Sequence, residues 1–126
     1  MKNDNHVWDN KLPTAQMLGR WQPWHDGHQK LFEEIIKKTG QVNIMVRDVQ
    51  GVEDNPFDFE TVKSKIIEAL KDYKNRIKVT LVPNITNICY GRGVGYKIEE
   101  VVLDEKTQQI SATKIRKQLR KEGKIK

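Results

Sequence analysis

The sequence predicts a single-domain α/β fold: a doubly wound, Rossmann-like parallel sheet with helices on both faces. Three observations predict this class. Short apolar runs alternate with amphipathic segments of helical length, turn residues separate these segments, and 126 residues are enough for one compact core. In sheets of this kind the ligand binds beyond the carboxyl ends of the strands.

The first half of the chain predicts a strand, a helix and a second strand. Residues 14–18 form a short, mostly apolar run that Gly19 ends, as expected of a buried strand. A helix with apolar side chains at helical spacing follows and stops at Gly40, because glycine favours helix termination. Residues 41–47 alternate apolar side chains with polar or flexible ones, which predicts the second strand, and residues 48–56 are rich in turn formers and predict a loop.

The second half predicts a similar alternation. Asp58 can cap a second helix, a third strand is predicted at residues 77–82, and a fourth at residues 98–103. A basic helix should begin after Ser111. The apolar stripe of the second helix consists of Val62, Ile66, Leu70 and Tyr73.

The chain is predicted to comprise an N-terminal arm, residues 1–13, and one domain, residues 14–126. The arm is polar and is expected to pack through Trp8. No apolar run approaches the roughly 20 residues of a membrane span, and the N-terminus lacks the apolar core of a signal peptide. We therefore expect a cytoplasmic protein that does not contact a membrane. The single cysteine, Cys89, cannot form an internal disulfide and is expected to be a small, partly buried residue.

The net charge of +6 is concentrated at one end of the chain. Residues 114–126 carry seven basic side chains and one acidic one, which accounts for the whole excess. Such a local positive field suits a polyanion held at one place better than a nucleic-acid duplex lying along a broad face. The charge therefore favours a small anionic ligand.

The first candidate site is residues 19–28, between the first predicted strand and the first predicted helix. At such a turn the free backbone N–H groups of the new helix point toward the ligand crevice, and the helix dipole favours negative charge. Gly27 lets the backbone approach a ligand, and His25 and His28 can face one phosphate. Donors aimed at an α-phosphate stabilise the charge that develops there, so neither histidine needs to be a nucleophile.

Two other roles stay open for the histidines. They could ligate a metal, but metal sites usually need a third ligand, and the only other histidine, His6, lies in the polar arm. An isolated His-x-Gly-His could also be an ordinary surface feature. The position between a strand and a helix favours phosphate binding over both.

The second candidate site is residues 110–116, Ile-Ser-Ala-Thr-Lys-Ile-Arg. Ser111 is a good helix N-cap, which places Lys114 and Arg116 near the first turn. Cations there are disfavoured by a few tenths to about 1 kcal/mol, and a bound β- or γ-phosphate would reverse that sign. The alternative, a solvated basic tail, is preferred for the basic residues beyond position 120.

A glycine-rich stretch at residues 91–95 is a weaker signal. No Gly-Lys-Ser/Thr follows it, as a P-loop requires, and it lacks the glycine spacing of the dinucleotide fingerprint. It could lie near a base or ribose with Arg92 reaching a phosphate, or it could be a plain flexible turn.

The two candidate sites together resemble the nucleotidyltransferase superfamily marked by a His-x-Gly-His signature. Residues 19–28 are similar to the signature of the nicotinamide mononucleotide and sulfate adenylyltransferases, and Asn55-Pro56-Phe57 is also similar to the first of these. Residues 110–116 look closest to the Ile-Ser-x-Thr-x-Ile motif of the glycerol-3-phosphate cytidylyltransferases, which also carry a lysine where Lys30 stands. The resemblance extends from the first predicted strand to the last predicted helix.

The resemblance implies transfer of a nucleotidyl group from a nucleoside triphosphate, ATP or CTP, to a small phosphorylated acceptor, with release of pyrophosphate. It slightly favours AMP over CMP and implies Mg²⁺ bridging the phosphates, and similar enzymes are commonly homodimers. Residues 88–110 are shorter than the acceptor-recognising region of the nicotinamide mononucleotide enzymes, so the base and the acceptor stay open. The alternative is a catalytically silent nucleotide or nucleic-acid binding module on the same fold; for the enzyme, nucleic acid is not an expected partner.

The resemblance also assigns roles to residues. His25 and His28 are expected at the α-phosphate, Arg20 and Lys30 near phosphate charge, and the serine-led helix at the β- and γ-phosphates. The predicted catalytic residues are His25, His28, Lys30 and Arg116. The predicted nucleotide-binding residues are Gly19, Arg20, Trp21, Gln22, Gly27, Arg92, Ile110, Ser111 and Thr113.

Overall fold

A computed structural model describes residues 5–49, 55–93, 95–108 and 110–124. Its three strands form one parallel sheet in the order β1-β2-β3: Ala15–Gly19 (β1), Val42–Arg47 (β2) and Ile77–Val82 (β3). The helices are Asp26–Thr39 (α1), Phe59–Ala69 (α2), Glu105–Gln108 (α3) and Ala112–Lys121 (α4), and a 3₁₀ segment, Lys71–Arg76, precedes β3. The predicted α/β class with a parallel sheet is confirmed.

The register of the sheet places all carboxyl ends at one edge. Gly19 pairs with Val46, and Val46 pairs with Leu81. Because the strands are parallel, the connections that lead to α1 and α2 both leave from this edge. It is the edge at which ligands bind in sheets of this topology.

The core lies on one face of the sheet. The two crossovers run in the same direction, and right-handed crossovers then place α1 and α2 on the same face. Ile44 of β2 is fully buried and packs in one cluster with Phe32 of α1 and Ile66 of α2. On the other face, Thr80 donates to Asn43 at the surface, at 2.9 Å. The described strands and the two crossovers between them thus form a β-α-β-α-β unit of a Rossmann-like fold that is wound in one direction.

The helix boundaries follow local capping chemistry. The Thr61 N–H donates to Oδ1 of Asp58 at 2.8 Å, so Asp58 caps α2 as predicted. Gly40 ends α1 with a φ of 83°, a left-handed conformation that glycine adopts without strain. The apolar stripe that was predicted to reach Tyr73 extends beyond the end of α2. Tyr73 lies in the 3₁₀ segment, and its ring still meets the Phe32 ring edge-on, with 5.1 Å between the ring centroids.

The predicted fourth strand at residues 98–103 is wrong, since these residues form no strand. Ile98 and Val102 are 64% and 74% exposed, and Val101 packs against the core. Glu99 forms an ion pair with Lys38 of α1, at 3.6 Å. The alternating pattern here reflects one partly buried side chain, Val101, and not a paired strand. Positions 50–54 of the predicted loop and position 94 of the glycine-rich stretch lie outside the described residues.

The described part of the arm is held at the amino-terminal edge of the sheet. Gln41 is fully buried, and its side-chain amide donates to the Asp9 carbonyl at 2.8 Å and to the Thr14 hydroxyl at 2.7 Å. The Trp8 ring, through which the arm was expected to pack, lies 5.3 Å from the Lys78 ammonium. Among the described helices, none has the length and apolar character that crossing a bilayer requires.

Candidate active site

His25 and His28 cap the N-terminus of α1 at the carboxyl edge of the sheet. Nδ1 of His25 accepts from the N–H groups of Gly27 and His28, at 3.0 and 3.4 Å. In return, the His25 N–H donates to Nδ1 of His28, at 3.2 Å. This is a capping box in which two imidazoles take the parts usually played by a serine and a glutamate.

The capping bonds fix the tautomer of both rings. A ring nitrogen that accepts a backbone N–H carries no proton, so each neutral imidazole holds its proton on Nε2. Within the described part of the chain, neither Nε2 of His25 nor Nε2 of His28 has a hydrogen-bond partner. The turn therefore presents two N–H donors from neighbouring, stacked rings.

Burial keeps both rings neutral. Desolvation, together with the neighbouring His25, lowers the pKa of His28 to about 3. Desolvation also lowers the pKa of His25, partly opposed by the charge of Asp26. Both imidazoles are thus uncharged at neutral pH and can act as hydrogen-bond donors without carrying a positive charge.

Two tryptophans enclose His28. The Trp21 ring meets it edge-on at 4.7 Å, and the Trp24 ring lies 5.5 Å away. The Trp21 indole N–H donates to the Met45 carbonyl of β2 at 3.1 Å, which fixes its orientation. Trp21 has a φ of 55°, and a left-handed conformation is costly for so large a side chain.

The two predicted glycines of this turn are both places of close approach. A Cβ on Gly19 would lie 2.8 Å from the Trp21 ring, and a Cβ on Gly27 would lie 2.8 Å from Cε1 of His25. The same added Cβ on Gly27 would lie 3.6 Å from Cβ of Ile110. Glycine at position 27 thus leaves room for the His25 ring, whereas the distance to Ile110 is an ordinary van der Waals contact.

The second motif lies directly against the first. Ser111 caps α4, accepting from the Lys114 N–H at 3.4 Å. Arg116, only 2% exposed, donates from Nη1 to the Gln22 carbonyl at 2.5 Å and from Nη2 to the Thr113 hydroxyl at 3.3 Å. The bond between Arg116 and Gln22 joins residues that are 94 positions apart in the sequence. The two motifs are therefore brought together, as the sequence predicted.

A third segment joins the site through Gln22. Its side-chain amide accepts from the Phe57 N–H and donates to the Phe57 carbonyl, both at 2.9 Å. Nearby, Arg20 donates to the buried Asn55 at 3.4 Å. Asn55 and Phe57 were noted in the sequence only as part of a resemblance. The Gln22–Phe57 pairing had no signal in the sequence, because an amide can pair with any main chain.

The remaining predicted residues lie at the margin. Lys30 is an exposed residue of α1, and it acts electrostatically on Asp104. Hydrogen bonds from Thr107 are the main cause that lowers the pKa of Asp104, with the charge of Lys30 adding to it. Arg92 is exposed in a segment without regular structure, and no described contact joins it to the histidine turn. The structure therefore brings Lys30 near Asp104, just before α3, and no described contact joins Arg92 to either motif.

Among the residues that the structure describes, no group of three or more His, Cys, Asp or Glu side chains could hold a metal ion. Within the described ranges, neither of the two stacked histidines has a carboxylate or thiolate partner that would complete a site.

Comparison with known proteins gives one relationship of note. No family model matches the chain. A nicotinamide-nucleotide adenylyltransferase of Methanococcus aeolicus is 28% identical over an alignment of 132 residues, which covers 83% of this chain and 76% of that protein. The similarity spans most of the chain and supports a nucleotidyltransferase-like relationship.

Proposed function

We propose that this protein transfers AMP from ATP to a small phosphorylated acceptor and releases pyrophosphate. One observation carries the proposal: the histidine-capped N-terminus of α1 and the serine-capped N-terminus of α4 lie against each other, with Gly27 beside Ile110 and Arg116 bonded to Gln22. Two helix N-termini and their capping side chains at one place suit a chain of phosphates.

The imidazoles would act at the α-phosphate. An oxygen of the acceptor phosphate attacks the α-phosphorus in line, the bond to the bridging oxygen breaks, and that oxygen leaves on pyrophosphate. The Nε2–H groups of His25 and His28 donate to the oxygens on which charge accumulates in the transition state. Because the rings are already oriented by backbone N–H groups, no reorganisation is needed at the moment of reaction.

The β- and γ-phosphates would lie at the N-terminus of α4. Ser111 and Thr113 provide hydroxyl groups there, and the buried charge of Arg116 lies behind Thr113. Arg20 and Lys30, both exposed, can balance further phosphate charge at the rim.

Mg²⁺ would enter with the triphosphate. This ion retains waters and binds substrate phosphates more readily than a cage of protein ligands. The described residues fit that arrangement, because they offer phosphate-binding groups and no cluster of carboxylates. The chemistry that Mg²⁺ supplies is neutralisation of phosphate charge.

The nucleotide contacts predicted at the start of the turn would be made by main-chain groups. The Trp21 indole N–H is hydrogen-bonded to the Met45 carbonyl, and the Gln22 side-chain amide is hydrogen-bonded to the Phe57 main chain. The name of the relative in Methanococcus aeolicus favours adenine as the base and makes nicotinamide mononucleotide the first acceptor to test.

A pyrophosphate-release screen tests the proposal. ATP and CTP are each combined with nicotinamide mononucleotide, glycerol 3-phosphate and other phosphorylated acceptors in the presence of Mg²⁺. We expect turnover with ATP and one acceptor class, lost in His28→Ala and retained in His6→Ala, a control histidine at the opposite edge of the sheet. Absence of pyrophosphate release from every pair, together with tight and salt-sensitive oligonucleotide binding, would instead support the binding-module alternative.

A further inference from the structure

Arg116 is a buried cation that is bonded to protein groups through both of its terminal nitrogens. Its side chain is 2% exposed, Nη1 bonds the Gln22 carbonyl, and Nη2 bonds Thr113. The Gln22 carbonyl belongs to the turn that ends at His25, three residues later. The shorter of the two described guanidinium bonds therefore joins Arg116 to the main chain of the turn that carries the histidines.

Gln22 extends this link to a third segment. It is itself 2% exposed, and its amide forms two bonds of 2.9 Å with the Phe57 main chain. A side-chain amide that pairs with both main-chain groups of another residue holds that residue in one register. The peptide at Gln22 therefore joins the histidine turn, the loop before α2 and the helix α4.

We propose that Arg116 is a positioning residue: acting through the Gln22 carbonyl, it holds the turn that carries His25 and His28 in register with the N-terminus of α4. A hydrogen bond from a guanidinium is roughly twice as strong as a neutral one. The fork of Arg116 reaches Gln22 and Thr113 at once, which the single ammonium of a lysine cannot reproduce. The catalytic meaning of this role rests on the proposed function, whereas the coupling itself does not.

Kinetics separate positioning from direct contact with phosphate. In Arg116→Lys, which keeps the charge, misplaced imidazoles should lower kcat by about tenfold or more, since displacements near 1 Å cost up to ~10²-fold. The KM for ATP should change by less than about threefold, because a group that does not touch the triphosphate contributes little to its binding. A rise in KM for ATP of tenfold or more at unchanged kcat would overturn the proposal. Lys117→Met, on the exposed side of α4, is the matched control and should leave both parameters unchanged.

Imidazole ¹⁵N resonances test the coupling without any substrate. In the wild type, His25 and His28 should show the Nε2–H tautomer, and Arg116→Lys should shift or broaden both sets of signals while Lys117→Met does not. The guanidinium protons of Arg116 in the wild type should exchange with solvent far more slowly than those of exposed Arg92. Unchanged imidazole signals in folded Arg116→Lys, or equal exchange rates for the two arginines, would overturn the coupling. Confirmed coupling in a protein that turns over no triphosphate would overturn the proposed function alone.

Discussion

The imidazole of His25 stacks on that of His28, with ring centroids 3.6 Å apart and planes inclined by 17°. Two positive rings in this arrangement would repel each other, and burial already disfavours the charged form of both. The stack is therefore suited to two neutral donors. In the proposed reaction, such a pair would stabilise developing phosphate charge without a proton transfer, and a general acid with a pKa near neutrality would not be required.

Replacing His28 with alanine should lower kcat by roughly 10²–10³-fold, the usual effect of removing one preorganised donor to a transition state. The fold should persist, because His28 lies at a helix terminus outside the main core cluster. Pyrophosphate release and thermal melting of the variant and of His6→Ala measure the two effects. Activity within twofold of the wild type in folded His28→Ala would remove this residue from the α-phosphate.

Stability should fall as the pH drops from 7 toward 5, because of His28. Its folded pKa, about 3, lies below the unfolded value of 6.5, so in this window the unfolded chain takes up a proton that the folded chain does not. The loss should reach about 2 kcal/mol at pH 5 for one such histidine. Urea unfolding at pH 7.5, 6 and 5 measures it.

The control for this pH dependence is His28→Asn, which should reduce the slope; His25, whose pKa burial also lowers, contributes a pH dependence of the same sign that remains. Carboxylates with lowered pKa values, such as Asp58, Asp104 and Glu122, lose their contribution only at lower pH, as they become protonated. An equal slope in wild type and His28→Asn would show that His28 is not held neutral by the fold.

Gly27→Ala should impair activity more than stability. Its new Cβ would lie 2.8 Å from Cε1 of His25, so the ring must move out of the stack. Alanine is favoured over glycine within a helix by up to about 1 kcal/mol, which offsets part of the strain. We expect kcat to fall at least about tenfold with a small change in melting temperature. Gly91→Ala, where a Cβ would meet no atom within 4 Å, is the matched control; wild-type kcat in Gly27→Ala would contradict the role assigned to the stack.

Much of the architecture was predictable because it depends on local patterns. Two patterns show which side chains face the core: the helical stripe with Val62 and Ile66, and the strand alternation of residues 42–46. The prediction of a fourth strand was wrong for a related reason. The alternation at residues 98–103 reflects the partial burial of Val101, but it does not show whether a partner strand is available. The short helix α3 was also missed, although Asp104 accepts from the Thr107 N–H at 2.7 Å as an N-cap would.

The site was predictable in part. Its two motifs were recognisable because strand-to-helix turns and helix caps have local sequence signatures. The hydrogen bonds of the Trp21 and Gln22 side chains could not be predicted from the sequence. Their partners are main-chain carbonyl and N–H groups, which nearly every residue has. For the same reason the sequence indicated a positive charge at Arg116 but not the carbonyl to which it is bound.

Gln22→Met should separate the two connections made by Gln22. Methionine is similar in length and keeps the main-chain carbonyl that accepts from Arg116, but it leaves the Phe57 N–H and carbonyl without their side-chain partner. A buried main-chain group that loses its partner costs roughly 1–3 kcal/mol, so the free energy of unfolding should fall by an amount in that range. Urea denaturation measures this loss against Gln118→Met, an exposed glutamine of α4 that bonds only Glu122 among the described contacts. Equal stability of the two variants would show that the Gln22–Phe57 pairing does not hold the loop before α2 against the histidine turn.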